Sequence, residues 1–260
     1  MKILITGATG FVGRNLIGFL DKYEVYILSR KNIPEKNAFV GDLSDKKVLI
    51  EACKADCVIH LAGASDGNVL KVNYEGTKNL VDACVENKVK KFIFVSSYDA
   101  VLDTKYGKSK LKAEEYLKNS GLNYLIFKPT VIYGKENKKD IGKLINMIKK
   151  FNFAPVPGDG TMKLQPLFVE DFAKVLAQSI KINRNKIYFI SGKDVMSFNE
   201  IADAIAKRFS RKIVKIHIPK FITRIINKNL LFDKICDNKE IEKDFKIKLI
   251  GFREGINIIS

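Results

Sequence analysis

Histidine and cysteine are scarce. The two histidines, His60 and His217, stand far apart, and none of the four cysteines (Cys53, Cys57, Cys84, Cys236) forms a Cys-x-x-Cys pair. That spacing excludes the common zinc arrangements, and no metal is expected. Cys57 and Cys84 lie in apolar surroundings and are expected as buried, reduced thiols. Apolar runs are short; none approaches the roughly 18 residues that a bilayer-crossing helix needs. The opening stretch MKILITGATGFVG is apolar but broken by glycines, unlike the continuous apolar core of a secretion signal. A cytoplasmic protein without a membrane span is expected. No basic block is interleaved with aromatics, so nucleic acid is not an expected partner.

What is present is a long, mixed chain. Its 260 residues are 46% hydrophobic and 29% charged, the balance of a packed globule. The formal charge is +17, heavier in the second half and carried mostly by lysine. Such a surface attracts anions, although singly spread lysines also describe an ordinary solvated surface.

In the first 130 residues short apolar runs (KILIT, EVYIL, NAFVG, DCVIHLA, KFIFVSS, NYLIFKP) alternate with amphipathic stretches near 13–22, 46–54, 70–87 and 106–119. Strands alternating with helices predict a doubly wound parallel α/β sheet, which binds ligands beyond the carboxyl ends of its strands. After Gly134 the rhythm changes to a lysine-rich helix (138–150), the turn PVPGDGT, QPLFV, a helix from Glu170, KIYFI and a helix over 197–209. The expected organisation is a Rossmann core over 1–134. Residues 135–260 are expected to complete it and to form a small C-terminal α/β substrate cap, in one continuous unit.

TGATGFVG follows the first strand and opens a helix, with Gly7, Gly10 and Gly13 in a G-x-x-G-x-x-G spacing. A pyrophosphate needs a tight turn, bare backbone and close helix–strand packing there. An acidic residue at the end of the second strand would select NAD through the ribose 2′-hydroxyl. Ser29, Arg30 and Lys31 stand there instead, with Arg14 just after the third glycine. Cations meet a 2′-phosphate, which favours NADP(H) over NAD(H). The alternative is that Arg30 and Lys31 only face water.

Tyr106 and Lys110 are four apart in YGKSK and share one helix face. A phenol beside an ammonium loses its proton more readily, and so can pass a proton while a dinucleotide passes a hydride. Alone, a Tyr-x-x-x-Lys pair is common.

Taken in order, TGATGFVG, GDL, VIHLAG, VNYEGTKNL, FIFVSS, YGKSK, FKPTVIYG, QPLFVEDFA and FREGI resemble the extended and atypical short-chain dehydrogenase/reductases, the NAD(P)-dependent epimerase/dehydratase group. The block from GLNYLIFKPTVIYG to QPLFVEDFA is most similar to the atypical branch that contains the NADPH-binding accessory subunit of respiratory complex I. YGKSKLKAE also resembles dTDP-4-dehydrorhamnose reductases. The resemblance implies a catalytic set of Ser97, Tyr106 and Lys110. It assigns cofactor contacts to Gly7, Thr9, Gly10, Phe11, Val12, Gly13 and Arg14, and to Ser29, Arg30, Lys31, Asp42 and Leu43. Leu61, Ala62, Gly63, Asn73, Tyr106, Lys110 and Pro129 complete that list. Weaker substrate candidates are Ala64, Ser65, Tyr98, Thr130 and Gln165. Asp171 matches a family position but is read first as a helix-start residue, and His60 as a structural neighbour of the cofactor.

The implied substrate is an anionic nucleotide sugar. Only nine positions separate Ser97 from Tyr106, a shorter loop than extended members usually have, which opens the pocket or changes its contents. Two alternatives are therefore carried: an NADPH-holding assembly or sensor protein without turnover, and a reductase of a hydrophobic carbonyl or lipid. The last predicts an apolar pocket under residues 217–235. KFITRIINKNLLFDKI is expected as an ordinary helix packed on the cap, with a membrane-lying helix as the alternative. A homodimer through the Tyr106 helix and the one before it is possible by family analogy.

Overall fold

The computed structural model describes residues 1–34 and 37–259. In chain order the first half holds β1 (Lys2–Thr6), α1 (Phe11–Ile17), β2 (Glu24–Ser29), β3 (Ala38–Val40), α2 (Lys46–Ala52) and β4 (Cys57–His60). A π-helical segment (Leu70–Glu75) leads into α3 (Gly76–Glu86), followed by β5 (Lys91–Val95), a 3-10 turn (Tyr98–Val101), α4 (Lys105–Lys118) and β6 (Tyr124–Pro129). The second half holds β7 (Ile132–Tyr133), α5 (Ile141–Phe151), β8 (Phe153–Pro157), β9 (Lys163–Leu164), β10 (Leu167–Phe168), α6 (Val169–Ser179) and β11 (Lys186–Ile190). It ends with β12 (Met196–Ser197), α7 (Phe198–Arg208), β13 (Val214–Ile218), α8 (Lys220–Asn227), α9 (Lys239–Phe245) and α10 (Phe252–Ile258).

Seven strands form one sheet in the order β11-β6-β5-β4-β1-β2-β3. The pairings from β3 through β6 are all parallel. The order reverses at β1: the chain first winds one way to β3, then crosses to β4 on the other side. The crevice beyond β1 and β4 is thus the switch point at which such sheets take ligands. The strands read as continuous apolar runs because both faces are covered; Ile3, Leu4, Ile5, Val58, Ile59, Phe92, Ile93 and Phe94 are all fully buried.

The chain divides into two compact units, 1–128 with 172–188, and 129–171 with 189–260. The expectation placed the boundary at 134 and let the second segment complete the core. The division falls at Lys128, and Phe172–Tyr188 returns to the first unit. The returning segment is held by aromatic packing: Phe172 sits edge-on to Phe127, and Tyr188 stacks on the same ring. The second unit has its own apolar core, in which Tyr133, Ile148, Ile201, Ile205 and Phe252 are buried. Its helix α7 opens with a capping box between Ser197 and Glu200.

Local differences have local causes. The predicted helix at 70–87 begins as a π turn, and the wider turn carries Asn73 inward, where it is fully buried. The QPLFV run makes only a two-residue strand, because helix α6 starts at Val169. As expected, Cys57 and Cys84 are buried free thiols; so is Cys53, whose sulfur lies 3.5 Å from that of Cys84. Burial pushes the Cys57 thiol up to about 12, so it is not a reactive thiolate at neutral pH.

Candidate active site

Beyond β1 and β4 lies a cleft of about 390 Å³. The glycine loop forms one wall with Gly7, Thr9 and Gly10. Ser29, Arg30, Asp42 and Leu43 form a second, and Leu61, Ala62, Gly63 and Ala64 a third. All were named from the sequence. Lys71, which the sequence reading passed over, also lines the cleft.

The loop requires glycine. Gly7 has φ +77°, and a side-chain carbon there would meet the Ala62 backbone nitrogen at 2.6 Å. At Gly13 it would meet Ala8 and the Gly7 carbonyl at 2.5 Å. Backbone therefore approaches backbone with nothing between, leaving bare amides on the cleft wall. These are the features that a dinucleotide pyrophosphate demands, and the residues fit that group. Gly13 is buried in the loop–helix packing. Phe11, Val12, Arg14 and Lys31 stand next to the cleft residues in sequence and are not among those lining it.

At the β2 end, Ser29 Oγ accepts from the Lys31 amide at 3.2 Å. Asp42 is turned on its own loop, with Oδ1 accepting from the Ser44 amide at 2.8 Å and from its hydroxyl at 2.7 Å. The Ser44 hydrogen bonds hold this carboxyl below its usual range, and the charges of Arg30 and Lys71 add to the effect.

Beneath the cleft runs a buried polar chain. Thr77 Oγ1 donates to the Asn73 carbonyl at 2.6 Å, so it must accept from His60 Nε2 at 2.9 Å. His60 Nδ1 then accepts from Thr6 Oγ1 at 2.6 Å, which fixes the neutral Nε2–H tautomer. Burial, and then the charge of Lys110, pushes the imidazole down to about 3. His60 is thus a buried link between Thr6 and Thr77.

Asn73 does not face the cleft. Its Oδ1 accepts from the Ala64 amide at 2.8 Å, and its Nδ2 donates to the Ala64 carbonyl at 2.9 Å and to Ser109 Oγ at 3.0 Å. Ser109 donates in turn to the Tyr106 carbonyl at 2.7 Å. The cleft wall at Ala64 and the helix turn at Tyr106 are thus tied through one amide side chain. Ser109 was not singled out from the sequence, although it lies inside YGKSK.

Helix α4 starts at Thr104, whose hydroxyl accepts from the Gly107 amide at 2.9 Å. A side-chain carbon at Gly107 would collide with the carbonyls of Asp99 and Leu102. Glycine therefore lets the short loop after Ser97 press against the helix beside Tyr106. Ser97 is half-buried, and its hydroxyl caps the 3-10 turn by accepting from the Asp99 amide at 3.1 Å. Tyr98 is half-buried in that turn. Lys110 is buried; its ammonium donates to the Val95 carbonyl at 3.0 Å and lies 4.7 Å from the centre of the Phe94 ring. A carbon on Gly63 would sit 3.4 Å from this nitrogen, so Lys110 reaches the Gly63 wall of the cleft. Burial pushes its ammonium down to about 8, against the opposing pull of Glu114.

The chain matches the family model described as NAD dependent epimerase/dehydratase over residues 3–190. The protein belongs to the NAD-dependent epimerase/dehydratase family. It is 26% identical over 254 aligned positions to an N-acetyl-α-D-glucosaminyl-diphospho-ditrans,octacis-undecaprenol 4-epimerase of Escherichia coli O157:H7, covering 84% of this chain and 75% of the relative. It is 24% identical to a UDP-glucose 4-epimerase of Vibrio cholerae, covering 97% and 90%. In fold it matches a UDP-glucose 4-epimerase from Thermotoga maritima with a TM-score of 0.86 at 17% identity, covering 100% and 97%.

Other residues of this epimerase/dehydratase-family enzyme fall outside the cleft. Thr130 Oγ1 donates to the Gln165 carbonyl at 2.6 Å, and both residues are buried. The Gln165 side chain donates to the Gly192 carbonyl at 3.3 Å and accepts from the Cys236 amide at 2.7 Å. These two substrate candidates are loop staples, with polar groups already engaged. Pro129, a cofactor candidate, ends β6 and is buried. Asp171 lies in the first turn of α6, as a helix-start residue would, and accepts from the Ile250 amide at 2.9 Å. Ser65 lies in the stretch after Ala64, outside the cleft lining. Near residues 217–235 there is a cleft whose lining mixes apolar side chains (Pro157, Met162, Leu231, Phe232) with charged ones. The charged members are Asp159, Lys220, Arg224, Lys228 and Asp233.

The neutral His60 has a measurable consequence. Its folded-state pKa lies below the unfolded value, so the unfolded chain binds the extra proton between about 6.5 and 3. Stability therefore falls as pH drops through that window, by about 2 kcal/mol at pH 5 from this residue alone. Thermal melts at pH 7 and pH 5 should show the loss, and His60→Gln should flatten it. Equal pH slopes for the two proteins would remove His60 as the cause.

Proposed function

We propose that this enzyme is an epimerase, dehydratase or reductase acting on a hydroxyl or keto group of a nucleotide-activated sugar, with NADP(H) preferred over NAD(H). One observation carries the reading: a buried ammonium, Lys110, reaches the Gly63 wall of the cleft from the same helix face as Tyr106. Both relatives described above are named for sugars carried on a diphosphate, and a chain of charge +17 suits such an anion.

When bound, the dinucleotide supplies the hydride acceptor and donor. In this scheme Tyr106 takes the proton from the reacting hydroxyl and returns it to the reacting oxygen. Lys110 holds positive charge beside the phenol and favours its deprotonated form. Ser97 donates a hydrogen bond to the reacting oxygen. Asn73 and Ser109 position the Tyr106 turn against the cleft wall, and His60 is held neutral and takes no part in proton transfer.

The test is an incubation with UDP-glucose, UDP-N-acetylglucosamine and cofactor, followed by chromatography that separates epimers and mass spectrometry. Conversion of a nucleotide sugar supports the reading. Conversion of some other metabolite class from a cell extract, with nucleotide sugars untouched, overturns it.

The NADP(H) preference rests on the end of β2, where Arg30 lines the cleft, no carboxylate follows Leu28, and Asp42 is engaged by Ser44. Arg30→Glu should weaken NADPH binding by roughly 10- to 100-fold, the loss of a charge-assisted contact to the 2′-phosphate, and leave NADH binding nearly unchanged. Equal losses for both cofactors would argue that Arg30 only faces water.

A further inference from the structure

Helix α8 presents its apolar side to the outside. Its polar midpoint, Thr223, is 2% exposed, and the hydroxyl donates to the Ile218 and Pro219 carbonyls at 3.2 Å. Phe221, Ile225 and Ile226 are 67%, 83% and 67% exposed, and Ile222 is exposed with them. A helix packed on a cap would show the reverse, with apolar residues inward. The expectation of an ordinary packed helix is corrected here.

At 100° per residue the four apolar side chains fall in one continuous arc of about 140°. Lys220, Arg224 and the following Lys228 fall together on the adjoining arc, and all three are exposed. Lys220 also reaches Asp159 at 3.0 Å. Phe232 and Ile235 continue the exposed apolar surface just beyond the helix. An apolar stripe flanked by long cationic side chains is the pattern of a helix lying in a membrane interface, its apolar side sunk about 5–10 Å and its lysines and arginines reaching lipid phosphates.

We infer that α8 is an interfacial helix that docks this protein on an anionic lipid surface. Charge decides the occupant. The chain carries +17, and cations border the apolar stripe. A second copy would bring these like charges face to face. An anionic bilayer complements both features at once, and neither the apolar term nor the charge term alone gives firm attachment. No described helix is long and apolar enough to cross a membrane, so the attachment is peripheral. Docking does not depend on turnover, and the proposed chemistry is tested separately.

The test uses the whole chain and sedimentable vesicles of phosphatidylcholine, with or without phosphatidylglycerol. Binding should require the anionic lipid and weaken with salt. Ile225→Asp with Ile226→Asp should weaken it more than tenfold, since two apolar side chains leave the interface and two negative charges enter it. Each of Lys220→Gln, Arg224→Gln and Lys228→Gln should cost roughly fivefold. These side chains are exposed, so the melting temperature should stay constant. The chain has no tryptophan, so Ile225→Trp places a single reporter on the stripe without removing apolar surface. Its emission should shift to the blue when anionic vesicles are added. No sedimentation with anionic vesicles, or a tryptophan that does not shift, overturns the proposal. So does a vesicle-free dimer that Ile225→Asp dissociates.

Discussion

Tyr106→Phe should abolish turnover and leave the cofactor bound. In the proposed scheme, replacing the phenol by phenyl removes the proton carrier while the turn stays held through its backbone carbonyl by Ser109. Positioned proton transfer is worth roughly 10²–10⁴ in rate, so kcat should fall by that factor while the dissociation constant for NADPH moves little. The pH profile gives a second reading. The Lys110 ammonium, pushed down to about 8 by burial, carries its charge below that pH and loses it above. In the proposed scheme kcat should therefore decline as pH rises through about 8. A silent Tyr106→Phe with intact NADPH binding would make Tyr106 and Lys110 a cofactor clamp, and the non-catalytic alternative would lead.

Glu114→Ala should be among the most destabilising single changes in the first unit. Glu114 lies one turn beyond Lys110 and is buried. It accepts from the Ser96 hydroxyl, and its other oxygen pairs with the buried Lys128 ammonium at 2.7 Å. Truncation removes the carboxylate that faces this buried ammonium, and breaking a buried pair from one side costs about 3–5 kcal/mol. Denaturant midpoints should report the loss. Pairing Glu114→Leu with Lys128→Met should recover part of it, because both members of the pair are then replaced by apolar side chains. A loss under about 1 kcal/mol for Glu114→Ala would mean that water reaches Lys128. The same change tests the site. Glu114 opposes the burial effect on Lys110, so a folded Glu114→Gln variant should lose activity at a lower pH than the parent.

The strand–helix alternation and the glycine loop were legible because each follows from local chemistry. Six of the seven sheet strands coincide with apolar runs read from the first 130 residues, and KIYFI supplies the seventh. The residues after β1, β2 and β4 could be grouped as one binding edge, since a doubly wound sheet brings those loops together whatever its side chains. Harder to read were residues that act through partners distant in sequence. Asn73 was named for the cofactor, and its hydrogen bonds to Ala64 and Ser109 could not be read from the string. Thr130 and Gln165 were named for substrate, and the bonds from Thr130 to Gln165 and from Gln165 to Gly192 and Cys236 were equally hidden. Their side chains are polar and follow strands, like those of true ligand contacts, and only their neighbours distinguish the two roles.

By itself, then, the sequence determined the fold class, the family and the placing of Tyr106 and Lys110 on one helix face. Period, glycine spacing and order along the chain are properties of the string. Tertiary structure decided what surrounds each charge. It put Lys110 out of water and paired Glu114 with Lys128. It fixed His60 as a neutral hydrogen-bonded link and left the apolar side of α8 open. Burial and pairing depend on segments that meet across tens of residues, and the periodicity of a helix states that it has two faces without stating which one the protein covers.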